Sequence, residues 1–197
     1  MSARPALALA SRSPRRAALL RLLGVEFDIL PADADESTLP GEHPADYARR
    51  VARLKAGAAR AGDSAGRVLL AADTCVSIDG SIFGKPAGAA DCARMLRRLA
   101  GRWHDVHTAV VVAPPSGAAF ETVVTTRVEF VAFDDAVIRA YWASGEPTDK
   151  AGAYGIQGLG GALVSRIEGS YSAVVGLPLA ETATLLGRAG VAHALTG

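Results

Sequence analysis

Residues 67–86 read RVLLAADTCVSIDGSIFGKP. Val68 to Ala72 is an unbroken apolar run of the length of a buried strand. The run stops at Asp73, which places that carboxylate at the mouth of the strand. Asp79-Gly80 is then the two-residue turn of a strand pair, because both residue types tolerate the positive φ that a tight hairpin demands. Working outward, Ala6 to Ala10 forms a second short buried strand. Ser13 is a good N-cap for the helix that follows, with Pro14 at its first position, where a missing N–H is harmless.

Val25 to Leu30 reads as a strand, and PADADEST from Pro31 as an acidic loop. Residues 43–62 carry Tyr47, Val51 and Leu54 at helical spacing, which predicts a long amphipathic helix bearing Lys55. Another helix covers residues 88–100 through Met95, Leu96 and Leu99. The β-branched runs HDVHTAVVVAPP and FETVVTTRVEFVAF, joined by PPSG, predict an antiparallel hairpin. Asp134 or Asp135 caps a helix to Trp142, and SGEP breaks it. The segment DKAGAYGIQGLGGALVSRIEGS is a glycine-rich loop leading into a strand, and a last helix begins at Pro178. Alternating strands and helices with a hairpin predict an α/β domain with a mixed sheet. No repeat or interdomain linker divides residues 1–197, so a single domain is expected.

The chain is 50% hydrophobic and 21% charged, with a net charge of +1, so any affinity for polyanions must be local. Near-neutral charge and 6% aromatic residues leave little for nucleic-acid binding. No apolar run approaches the ~20 residues that cross a bilayer, and the first ten residues lack a signal-peptide pattern. Cys75 and Cys92 lack metal-site spacing and read as reduced core thiols. The expectation is a soluble cytoplasmic protein with no membrane partner.

Four polar places fall at predicted element ends, where α/β proteins put ligand sites. They are Ser11 to Arg16, Glu36, Asp73-Thr74 and Gly84-Lys85-Pro86, with Asp149-Lys150 and Gln157 as a further cluster. Arg15 and Arg16 in a first helical turn oppose the helix dipole. A strand end, free N–H groups and two guanidiniums describe a phosphate cradle, while solvated surface charge is the alternative. A carboxylate at the mouth of a buried strand is expensive unless paired or bound to metal, so Asp73 is a candidate for either, against a bare turn-capping role. Lys55 alone reads as one polar position of its helix. Lys85 is held in a tight turn between glycine and proline, where backbone approach is easy. His104 and His107, an odd spacing apart on a strand, face opposite sides and do not pair as ligands. The stretch GIQGLGG is neither a dinucleotide fingerprint nor a Walker loop. Its Gln157 nevertheless offers the donors and acceptor needed to read a nucleobase edge.

The stretches ASRSPRRAALLRLLG, ADESTLP, AADTCV, GKP and GEPTDKAGAYGIQGLGGALVSRIEGSYSAVVGLPLAET, in this order, resemble the Maf family of nucleoside triphosphate pyrophosphatases. The resemblance runs from about residue 6 to residue 190. It implies a mixed α/β fold akin to inosine triphosphate pyrophosphatases, two lobes with a cleft, a divalent metal (Mg²⁺ or Mn²⁺) and a homodimer. The implied reaction splits a nucleoside triphosphate into monophosphate and pyrophosphate. Ser13-Pro14-Arg15, Asp73-Thr74 and Ile156-Gln157-Gly158 match the branch acting on dTTP and UTP. The branch acting on 7-methyl-GTP has Trp, Gln and Glu at the three diagnostic places. Arg12 departs from the usual small residue and Cys75 from the usual Val or Ile.

Carried over by position, the resemblance implies that Ser11, Ser13, Arg15 and Arg16 hold the triphosphate. Lys55 and Lys85 neutralise charge on the α-phosphate and departing pyrophosphate, Glu36 and Asp73 bind the metal, and Asp73 deprotonates the attacking water. Thr74 and Gln157 select the base, and Lys150 assists on phosphate. The rival expectations are 7-methyl-GTP specificity and a non-catalytic inhibitor of septum formation acting through a partner.

Overall fold

The computed structural model describes residues 6–63 and 66–196. Its strands are β1 (Leu7–Leu9), β2 (Phe27–Ile29), β3 (Val68–Ile78), β4 (Ser81–Phe83), β5 (Trp103–Ala113), β6 (Phe120–Phe130) and β7 (Val164–Glu168). They form one mixed sheet in the order β2-β1-β3-β5-β6-β7, with β4 on β3. β1 runs parallel to β2 and β3, whereas β3, β5, β6 and β7 pair antiparallel in succession. The helices are α1 (Pro14–Leu22), α2 (Pro44–Gly62), α3 (Ala89–Leu99), α4 (Asp135–Ala143), α5 (Tyr171–Val175) and α6 (Leu179–Arg188). Short 3₁₀ turns at Glu146–Asp149, Ala151–Ala153 and Leu159–Leu163 fill the glycine-rich stretch.

Strand alternation sorts the core into three parts. Ala8, Ala10, Leu69, Ala71 and Cys75 face α2 through Tyr47, Val51, Ala52 and Ala56. On the other face, Leu70, Ala72, Val110 and Val112 pack against α1 and α6, while Val76, Ile78 and Val106 pack against α3 and α4. Thr74 and its cross-strand partner Thr108 lie at the seam between those two cores. The molecule therefore has two lobes on one side of a continuous sheet.

β3 does not end at Asp73. β5 supplies a ladder partner for every residue from Leu69 to Ser77, so the strand continues to Ile78 and Asp73 lies in its interior. Its opposite edge pairs with β1 as far as Leu70 and with β4 only from Val76. Between those pairings no strand among the described residues pairs with that edge, and Ala10 N–H, just past β1, donates to Leu70 O at its near end (2.8 Å). The turn at Asp79-Gly80 forms as expected, with φ of 50° and 71°. β2 is shorter than the expected strand over 25–30, and the five-residue α5 had no counterpart in the sequence reading. His104 and His107 do face opposite sides. His104 reaches Tyr154 OH (2.9 Å), and His107 reaches Ser77 and Thr125 (2.9 Å each).

Candidate active site

The open edge of β3 gives onto a cavity of about 790 Å³, within the ~300–1,000 Å³ range of small-molecule sites. Every site residue anticipated from the sequence lines it: Ser11, Ser13, Arg15, Arg16, Glu36, Lys55, Asp73, Thr74, Lys85, Lys150 and Gln157. Residues far apart in the chain are thus brought to one cleft, whose walls come from both lobes.

The charged floor is built by α2 and β3. Lys55 Nζ donates to Asp73 Oδ1 at 2.6 Å and lies 2.7 Å from Glu36 Oε1. Lys55 and Asp73 are 9% and 5% exposed, so each would be a costly buried charge without the other. Lys55 is thus a bridge between two carboxylates rather than a solvated helix position. Burial pushes the Asp73 carboxyl above its usual value, against the pull of Lys55 and Arg16. Glu36 is partly buried, which works against ionisation, yet Lys55, Lys85 and Arg16 hold it below the usual carboxylate range. Two residues missed from the sequence fix the Glu36 loop: Tyr47 OH donates to Glu36 O (2.8 Å), and Arg50 Nη2 donates to Ser37 O (2.8 Å). Their helical spacing on α2 was visible, but not which carbonyls they would meet.

The N-terminus of α1 opens onto the cleft with Arg15 and Arg16 beside it. Ser13 caps the helix, with Oγ accepting from Arg16 N–H at 3.4 Å, and no acidic residue occupies the first turn. Arg16 is braced: Nε donates to Gly176 O (2.9 Å), Nη1 to Ser11 Oγ (3.3 Å) and Nη2 to Thr74 Oγ1 (3.1 Å). Of a guanidinium's five N–H groups two remain for a ligand. Thr108 Oγ1 donates to Ala173 O (2.7 Å) and lies 2.9 Å from Thr74 Oγ1, so the Thr74 proton points to Thr108. Thr74 therefore meets further partners only as an acceptor. Arg15 crosses the cleft to Asp149 (3.0 Å), which also holds Lys150 (2.7 Å). Lys85 is exposed at the rim. Its turn is tied down by Gly152 N–H donating to Gly84 O (3.0 Å), where a side chain at position 152 would strike Val76.

Glu36 and Asp73 are an oxygen-only pair, and among the described residues no group of three or more His, Cys, Asp or Glu could hold a metal. That donor set fits Mg²⁺ or Mn²⁺ shared with phosphate oxygens, since such ions are held by one or two carboxylates and the substrate.

The profile of Maf-like proteins matches residues 6–189. The chain belongs to the Maf family. A dTTP/UTP pyrophosphatase of Methylobacillus flagellatus is 55% identical over 185 residues, covering 93% of this chain and 92% of the relative. Another protein of that name, from Anaeromyxobacter dehalogenans, is 54% identical over 189 residues, covering 94% and 95%. Among solved structures, a HAM1 protein from Coxiella burnetii aligns over 92% of this Maf chain and 98% of its own, with a TM-score of 0.50 at 18% identity. The Ham1 protein of Staphylococcus aureus aligns over 95% and 91%, also at 0.50, with 13% identity. The expected kinship of fold therefore holds. Among the described residues no helix of this Maf protein is long and apolar enough to cross a membrane.

Proposed function

We propose that this Maf-family protein hydrolyses pyrimidine nucleoside triphosphates, dTTP and UTP foremost, to the monophosphate and pyrophosphate. The observation that carries the reading is the Glu36–Lys55–Asp73 bridge in a cleft that also holds the α1 N-terminus and Gln157. The names of its relatives support the same substrates.

The triphosphate lies along the α1 N-terminus, where Ser11, Ser13, Arg15 and the two free N–H groups of Arg16 receive its oxygens. Lys85 and Lys150 meet the departing pyrophosphate, and Lys55 stands beside the α-phosphate. Asp73 takes a proton from water as its oxygen bonds to the α-phosphorus. The bond from that phosphorus to the bridging oxygen breaks, and pyrophosphate leaves. Glu36 and Asp73 would hold a divalent cation, which when bound would offset negative charge on the phosphates. Gln157 reads the base edge, and Thr74 contributes an acceptor. The enzyme acts as a homodimer in the cytoplasm.

The test is pyrophosphate release by the purified protein from UTP, dTTP, CTP, GTP and 7-methyl-GTP, with Mg²⁺ and with excess chelator. The expected result is hydrolysis of UTP and dTTP that stops on chelation. No release from any triphosphate rules out the enzyme reading, and preference for 7-methyl-GTP overturns the base assignment.

A further inference from the structure

The segment SGEP interrupts the chain after α4, yet its Glu146 carboxylate is one of the most heavily bonded in the cleft. Oε1 accepts from Tyr141 OH at 2.7 Å and from Gly160 N–H at 2.9 Å. Oε2 accepts from Leu159 N–H at 2.8 Å. Tyr141 OH in turn accepts from Gly155 N–H at 3.0 Å. Tyr141 and Glu146 thus grip both ends of the loop 155–160, and Gln157 lies between the grips, exposed and lining the cavity. Ile156 anchors the start of the loop against the core, whereas Gln157, Gly158 and Leu159 are exposed, so that stretch is held by hydrogen bonds rather than by packing. A Cβ at Gly158 would fall on the Glu146 carboxylate and one at Gly160 on the Tyr141 hydroxyl, so the glycines are what let the backbone sit down on this pair.

We propose that Glu146 is a positioning residue for base selection: its carboxylate, with Tyr141, fixes the loop that carries Gln157. This rests on the reading that Gln157 meets the base. Both oxygens are committed to donors, which leaves Glu146 little capacity as a metal ligand or proton acceptor. The requirement for a carboxylate is strict. A glutamine of the same shape must turn its NH₂ toward either Leu159 N–H or Gly160 N–H, setting donor against donor in both orientations. A recognising amide works only within hydrogen-bonding reach of the base edge, and small misplacements lose that contact.

The experiment compares E146Q, Y141F, Q157A and the double variant E146Q/Q157A. The readouts are kcat/KM for UTP and GTP, the inhibition constant of inorganic tripolyphosphate as a base-free probe, and thermal unfolding. E146Q is expected to lower kcat/KM for UTP by about tenfold and to narrow the UTP-to-GTP preference, with tripolyphosphate inhibition within about twofold of the parent. Added to Q157A, it should cost no more than about a further twofold, because the contact it positions is already gone. Y141F should give the same pattern more weakly, and it decides the matter should E146Q not fold. Losses that multiply in the double variant, or tripolyphosphate inhibition weakened as much as UTP turnover, overturn the role of Glu146. If Q157A alone leaves the base preference intact, the base reading by Gln157 has failed. If Q157A abolishes the preference while E146Q and Y141F leave it unchanged, only the positioning role has failed.

Discussion

The two ends of the cleft are made rigid by different means. At the end proposed to hold phosphate, called here the phosphate end, charges hold charges: Lys55 is clamped between Glu36 and Asp73, and Arg15 and Lys150 converge on Asp149. At the end proposed to meet the base, the base end, a carboxylate and a phenol hold backbone N–H groups of a loop rich in glycine. Charge pairs tolerate the exchange of many partners, since a phosphate oxygen can replace a carboxylate oxygen at an ammonium. Backbone hydrogen bonds fix a shape. The first arrangement suits a polyanion that must enter and leave. The second suits a recognition that must not vary.

The largest expected effect breaks the phosphate end alone. Asp73→Asn keeps an acceptor for Lys55 Nζ, and Glu36 remains as its second partner, so the fold should persist with a nearly unchanged thermal midpoint. Proton acceptance and the paired anionic donors are lost, and turnover should fall by about 10³-fold or more. Stopped assays of pyrophosphate release, read beside a circular dichroism melt, separate the two effects. A variant with near-parental kcat removes Asp73 from the chemistry and leaves the charged floor as scaffolding.

The phosphate end was legible in the sequence because a charge at the edge of an apolar run is expensive and so stands out. Asp73 announced itself in LLAAD, and Ser13-Pro14 announced the cap. The same logic misplaced the end of β3. An apolar run that stops at Asp73 reads as a strand that stops there, because the compensating cation lies eighteen residues upstream on α2. At the base end Gln157 was found by its chemistry, while Glu146 was read only as part of a helix break. Its partners are two backbone N–H groups and a tyrosine, and no residue type marks a backbone group as needing an acceptor. Tyr47 and Arg50 escaped for the same reason, as both act on carbonyls.

A smaller effect reaches the base-end lobe through its core. His104 is buried against Tyr154, the residue before Gly155, and burial lowers its pKa from 6.5 to about 4. The unfolded chain takes up this proton below pH 6.5, whereas the folded chain waits until about pH 4. The contribution is therefore complete above pH 6.5 and is lost as the pH falls through that window, on the order of 3 kcal/mol in all. Urea midpoints at pH 7 and pH 4.5 should drop further for the parent than for His104→Phe, which has nothing to protonate. Equal acid slopes would take His104 out of the lobe's pH response and leave the carboxylate pairs as its source.

The smallest effect bears most directly on whether the two ends are separable. Gln157→Glu keeps the length of the side chain but leaves only acceptors, so it cannot donate to the O4 and O2 carbonyls of uracil or thymine. The new charge also lies on the loop that already rests on the Glu146 carboxylate, adding like-charge repulsion at the base end. The bonds that set α1 and Lys55 do not involve the 155–160 loop, so the proposed phosphate contacts should be untouched. The specificity constant for UTP should fall by about tenfold, with inhibition by tripolyphosphate unchanged within about twofold. Equal losses for the nucleotide and the base-free polyanion would mean that position 157 acts through the shape or charge of the whole cleft. The contrast between an adaptable phosphate end and a fixed base end would then no longer describe how this protein chooses its substrate.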